Sequence, residues 1–263
     1  MTATAAPSTW QISNQVPHTL RQSWTSLIKD AKPGILFDPA MVTHLPVPAQ
    51  RWLQHAITPG TQLRTTVELR QHGTIKLMSW RPFTAIQVLA PLQGYIWAEK
   101  TSLFCLPVTG FDRLTDSTAE MRHSLFGHIP LVNESGPDLF RSAVGRLVSE
   151  LVFVPAAALD PSVSWKPVDE QTVIAVVAHA GQTHDVQLTV NPSGALASVT
   201  LSRWAKIGKQ PFQAHPFTAV FGEEGCFDGY TIPTKTTAGY GYNPDSNPTA
   251  AFITQTIDNA VFY

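Results

Sequence analysis

LRTTVELRQHGTIKLMS, residues 63–79, is where the periodicity of the chain changes from helical to extended. Leu63, Thr65, Val67 and Leu69 alternate with Arg64, Thr66, Glu68 and Arg70, the period-two pattern of a half-buried strand. A second strand from Ile75 is expected to pair back through a three-residue turn, His72-Gly73-Thr74, with Gly73 left-handed.

The segments before this point are helical. Leu20, Trp24, Leu27 and Ile28 fall at i, i+4, i+7 and i+8, and Lys32-Pro33-Gly34 is expected to end that helix. Ala49, Trp52, Leu53, Ala56 and Ile57 form a second stripe, stopped by Pro59-Gly60. After residue 63 strands are expected at 83–90, 94–105, 117–126, 172–179, 184–190, 195–203, 217–222, 226–232 and 252–262, with turn signals at Gly181-Gln182 and Pro192-Ser193-Gly194. One helix interrupts them, at 137–152, with Ser135 as candidate cap, Pro137 in its first turn and Asp138 at the positive end of its dipole. Two helices, a strand run, one helix and a second strand run give no βαβ alternation. The expectation is an α+β fold with a long antiparallel sheet, as one domain over 17–263 with N-terminal helices in 18–57. The Ala/Thr/Ser-rich residues 1–16 are expected to be disordered.

Composition removes several function classes. Charged residues are 14% of the 263, against about 25% in an average chain, and the net charge is −1. No Lys/Arg run exists to displace counterions from nucleic acid. With 43% apolar residues a sizeable core is available. No apolar run is long enough to span a bilayer, and the N-terminus lacks the pattern of a secretory signal, so a cytoplasmic protein is expected. Cys105 and Cys226 are far apart and read as buried reduced thiols.

Recognisable catalytic signatures are absent. There is no GxSxG, Walker-type or GxGxxG motif, so no nucleotide cofactor is expected. His179 and His184 would meet across a two-residue turn, but no third ligand accompanies them, and no metal site is expected. His123 and His128, five apart in one strand, would lie on opposite faces. Glu150 is the anomaly, a carboxylate among Leu and Val in RLVSELVFVP (146–155). It is either the partner of Arg146 at i,i+4 or a partly buried acid available for proton transfer or for holding a polar ligand head. Trp80, Phe83, Tyr95, Trp97, Phe104 and Phe111 supply aromatic surface in one strand run, and Gln87 is a lone polar residue in TAIQVLAP.

LPVPAQRWL (45–53), WRPFTAIQ (80–87), GYIWAEK (94–100), RLVSELVFVP (146–155), VSWKPVD (163–169) and GYTIP (229–233) occur in this order. The chain thereby resembles a bacterial family known as a domain of unknown function, with an LPxxVxRYL-like start, a WxPFxAxQ segment and an LxExxWxP helix end. The resemblance spans most of 45–260. It implies a fold similar to the LolA-like lipoprotein carriers, an open half-barrel sheet wrapped around a few helices with an apolar concavity. It points at Arg51, Trp80, Gln87, Trp97, Asp112, Glu150, Pro155, Trp165, Arg203 and Pro233. Phe153 departs from the Trp of many members, and AAFITQT (250–256) from an aromatic-rich segment. Many relatives carry membrane helices ahead of the domain and none is read here, so a role in membrane delivery is not expected.

The first functional expectation is a protein that binds an apolar or amphipathic small molecule. Trp80 and Trp97 would line the cavity, and Gln87 with Glu150 or Arg203 would anchor a polar head, near Asp112. The alternatives are a cofactor-independent isomerase, cyclase or hydrolase using Glu150 as general acid/base, or a scaffold whose N-terminal helix docks a partner. That helix could also be a lid over the sheet or part of the core.

Overall fold

In the computed structural model, residues 13–29, 35–115 and 117–263 are described. The expected disorder of residues 1–12 and the expected stop at Lys32-Pro33-Gly34 lie outside them. Residues 13–16, expected to be disordered with the N-terminus, are placed. Val16 is buried, and the Gln15 amide donates to the carbonyls of Thr84 (3.1 Å) and Ala98 (3.0 Å).

The elements are α1 (Arg21–Lys29), α2 (Val47–Ala56), β1 (Val67–Lys76), β2 (Trp80–Ala90), β3 (Gly94–Leu103), β4 (Leu106–Thr115), β5 (Thr118–Leu125), β6 (Ile129–Ser135), α3 (Pro137–Ser149), β7 (Val163–Pro167), β8 (Thr172–His179), β9 (Gln182–Val190), β10 (Leu196–Ala205), β11 (Gln213–Phe221), β12 (Glu224–Phe227), β13 (Tyr230–Pro233), β14 (Lys235–Tyr240) and β15 (Ala251–Phe262). Thirteen strands form one sheet in the order β6-β5-β4-β3-β2-β1-β15-β14-β11-β10-β9-β8-β7, every pair antiparallel. The sheet curls into an open half-barrel, the α+β class expected from the sequence. β12 and β13 form a separate hairpin where one strand, 226–232, was expected.

The expected turn at His72-Gly73-Thr74 is not there. β1 runs straight through it, paired with β15 on one side and β2 on the other, and turns only after Lys76. Leu69, Gln71, Gly73 and Ile75 already share a face at period two, so no turn is needed to align them. Gly73 serves close approach instead, because a Cβ there would stand 2.0 Å from the Thr254 carbonyl oxygen. α3 starts as expected at Pro137, but its N-cap is Gly136 at φ 108°, with no side-chain cap; Ser135 closes β6.

α3 connects the two sheet edges and lies in the concavity, against β4, β5 and β6 on one side and β9 and β10 on the other. Leu139, Ala143, Val144, Leu147 and Val148 bury one flank of it in the main core. α1 packs elsewhere. Leu20, Trp24 and Leu27 bury against Ile86, Val88, Ile96 and Ala98, the residues of β2 and β3 that point out of the convex face. α1 is therefore core on the outer face and not a lid over the concave one. Full burial of each such side chain is worth roughly 1.5–3 kcal/mol.

Candidate functional site

Between α3 and the central strands a cavity of about 570 Å³ opens, within the range of small-molecule sites. Its walls are apolar: Ile75 and Leu77 near the end of β1, Met121 of β5, Phe217 of β11, Tyr240 of β14 and Phe252 of β15. One region of the lining is instead heavily charged.

That region is a continuous hydrogen-bonded chain. Glu99 meets His123 Nδ1 at 2.8 Å, and His123 Nε2 meets Asp112 at 3.0 Å. The second Asp112 oxygen accepts from Arg146 at 3.2 Å, and Arg146 Nε donates to Glu150 at 2.7 Å. Gln87 donates to the other Glu150 oxygen, and accepts from Gln71 at 2.9 Å. Strand parity explains the assembly. Trp97 sits opposite Asp112 in the β3–β4 register and opposite Gln87 in β2–β3, while Gly110 sits opposite His123 in β4–β5. Gly110 makes room for the imidazole, since a Cβ there would fall 2.3 Å from His123 Nδ1.

Burial alone would drive the His123 pKa down. The hydrogen bonds and charges of Asp112 and Glu99 outweigh it and hold the value up at about 10, so the ring is a cation at neutral pH. Arg146 is likewise held charged against its burial by Glu150 and Asp112, and its guanidinium covers the Tyr95 ring at 4.7 Å and the Trp97 ring at 5.1 Å. Burial pushes the Tyr95 phenol above its ordinary range, which keeps it neutral.

Arg203 differs from these cations. It is 8% exposed and lies over Phe217 (4.5 Å) and Tyr240 (5.6 Å), and one guanidinium nitrogen reaches the Ser142 carbonyl at 3.4 Å. Among the described residues no carboxylate pairs with it, and its Nε is buried without a partner. The Trp97 indole N–H and one Glu99 oxygen are also buried and unpartnered there.

Of the residues singled out from the sequence, Trp97, Asp112, Glu150 and Arg203 all line this cavity, and Gln87 stands directly behind Glu150. Trp80 does not. It is 43% exposed at the start of β2, with the parity of the convex face. Arg51 ties the carbonyls of Glu170 and Val190 together, and Trp165 packs edge-on against Trp52 at 6.2 Å, so both hold the fold away from the cavity. The two proposals for Glu150 merge: it is the i,i+4 partner of Arg146 and it lines the cavity. Both its oxygens accept hydrogen bonds, one from Arg146 and one from Gln87. His123 and Glu99 were missed. Glu99 shares the parity of Tyr95 and Trp97, and that was the signal available. His179 and His184 are diagonal neighbours, because the turn is Ala180-Gly181 and pairs His179 with Gln182. Among the described residues no group of three or more His, Cys, Asp or Glu is placed to hold a metal ion.

The chain belongs to the family of unknown function DUF6544, which matches residues 36–252. Two solved structures are similar to it at 8% identity. One is a LolA superfamily protein from Nitrosomonas europaea, covering 82% of this chain and 92% of its own with a TM-score of 0.46. The other is a domain assigned to outer membrane lipoprotein sorting from Vibrio parahaemolyticus, covering 75% and 85% with a TM-score of 0.40. No curated protein matches the chain. No helix among the described residues is long and apolar enough to cross a membrane.

Proposed function

We propose that this family member binds an amphipathic small molecule in the concave cavity, apolar body toward Ile75, Leu77 and Leu103 and polar head at Arg203 and the Trp97 indole. The observation that carries the reading is the pairing of an apolar space of about 570 Å³ with a buried cation that has no carboxylate partner. A buried charge is costly unless something satisfies it, and the rings beneath Arg203 meet only part of that cost. The carboxylates of the floor each have a cationic partner, Arg146 or His123, with one Glu99 oxygen left over. The donors left over, Arg203 Nε and Trp97 Nε1, suit a ligand head that accepts hydrogen bonds.

Titration with a fluorescent fatty acid, read by probe emission and by quenching of tryptophan emission, tests this. Arg203→Met keeps the apolar bulk and is expected to weaken binding at least about tenfold, near 1.4 kcal/mol, while an uncharged apolar dye binds as before. Failure of the parent protein to take up either probe would sink the reading. Equal affinity of parent and variant for the fatty acid would remove Arg203 from it.

A further inference from the structure

In an antiparallel meander every second turn lies at the same end of the sheet. The β1–β2, β3–β4 and β5–β6 turns share one end, and it is the end at which Leu77, Met78 and Leu103 line the cavity. Met78, Phe104 and Phe126 project from these three tips, exposed by 73%, 62% and 49%. None of the exposed large apolar side chains lies in the turns at the opposite end of these strands, at 91–93 and 117.

Two of the tips work against local folding preference. Phe104 (φ 50°) and Phe126 (φ 53°) occupy left-handed positions. An L-residue with a Cβ loses roughly 1–2 kcal/mol in that conformation, and Asn or Gly is the residue such a turn favours. The rings gain little from the fold in return, Phe104 lying 6.0 Å from the Arg81 guanidinium and Phe126 6.4 Å from the His128 ring.

Within the three tips the charges are of one sign, and the neighbouring β14–β15 loop at the same end, whose Thr249 carbonyl accepts from Lys76, adds one exposed acid, Asp245. In 74–84, 99–110 and 122–132 the only acid is Glu99, which is buried and paired with His123. Lys76 and Lys100 are exposed in the same stretches, and Arg81 lies 6.0 Å from the Phe104 ring. The β10–β11 loop, at the same end of the sheet, adds exposed Lys206, Ile207 and Lys209 and no acid. Apolar side chains that can enter the acyl boundary, ringed by cations, match an anionic lipid surface. A protein partner or a second copy would be expected to show its opposite charge within the patch.

We infer that this end of the half-barrel is a docking surface for anionic membrane lipid, with Met78, Phe104 and Phe126 inserted and the cavity mouth brought against the bilayer. The sequence led to a different expectation, no role in membrane delivery, because no membrane helix is read ahead of the domain. The inference goes beyond the ligand reading and does not need it, since the probe is a vesicle alone.

Co-sedimentation with phosphatidylcholine vesicles, with and without phosphatidylglycerol, tests it. The parent is expected to sediment with the phosphatidylglycerol vesicles and to be released by high salt. The double variant Phe104→Asn/Phe126→Asn is expected to lose about tenfold or more in partitioning, yet to melt at the same or higher temperature, because Asn accepts the left-handed turn. Met78→Ser, at a tip without that backbone, is expected to weaken partitioning in the same direction. No sedimentation of the parent overturns the proposal, as does equal sedimentation of parent and variants. Concentration-dependent self-association that these substitutions abolish, without vesicle binding, would assign the surface to a second copy and overturn it too.

Discussion

On the convex face of β2 and β3, Ile86, Val88, Ile96 and Ala98 meet Trp24 in a dry contact. On the concave face of the same two strands, Gln87 reaches Glu150, Trp97 lies under Arg146, and Glu99 holds His123. One step along the strand separates the two environments. A buried carboxyl on the convex side, Glu68, has its pKa pushed up by burial, whereas the concave carboxylates are neutralised in place by Arg146 and His123. Apolar closure stabilises the first surface. The second keeps charge inside at the cost of desolvation and depends on every partner being present.

The contrast predicts different losses. Trp24→Ala empties a fully buried site and is expected to lower stability by about 3–5 kcal/mol in urea denaturation. Because the site is on the other face, affinity for a cavity probe is expected to stay within about twofold. A tenfold change would show that α1 and the cavity are coupled.

His123 gives the next largest effect, and one with a pH signature. Its folded pKa, about 10, lies above the unfolded value near 6.5. Its contribution is therefore complete below about pH 6.5 and is lost as pH rises through about 10. His123→Gln should cost about 1–3 kcal/mol at pH 6 and progressively less toward pH 10. Urea midpoints of parent and variant measured across this range should converge. Parallel curves would mean that the ring is not a cation in the folded protein, while Trp24→Ala is expected to run parallel to the parent.

The smallest effect belongs to Trp80, which the sequence placed in the cavity and the structure places outside it. Trp80→Ser is expected to change stability by less than about 0.5 kcal/mol and leave the affinity of a cavity probe unaltered. Loss of that affinity would return Trp80 to the cavity.

Helices and strongly periodic strands were legible in the sequence because burial on one face leaves a period. β6 was not, since Ile129–Ser135 is mostly exposed and carries no alternation. β4 was hidden by Pro107 and Gly110, residues that ordinarily signal a break. The site was legible where a single residue stood out, as Glu150 does among Leu and Val. It was not legible where chemistry depends on register: His123 meets Glu99 and Asp112 only because β3, β4 and β5 align as they do. An isolated histidine in a strand says nothing of that.

The sheet has a seam. β1 to β6 follow one another outward in one direction and β15 back to β7 in the other, so each half is assembled from neighbours close in the chain. Among the described residues only the β1–β15 strand pairing joins the halves within the sheet, setting Val67 against Phe262 from near opposite ends of the sheet's sequence. Local hairpins close in microseconds, whereas a contact of such sequence separation carries a loop-closure entropy that nothing repays until it forms. Contact order thus predicts this strand pair as the slow step of folding. Until it zips, the two half-sheets present β1 and β15 as unpaired edges, the places at which a nascent chain of this protein is open to the wrong partner.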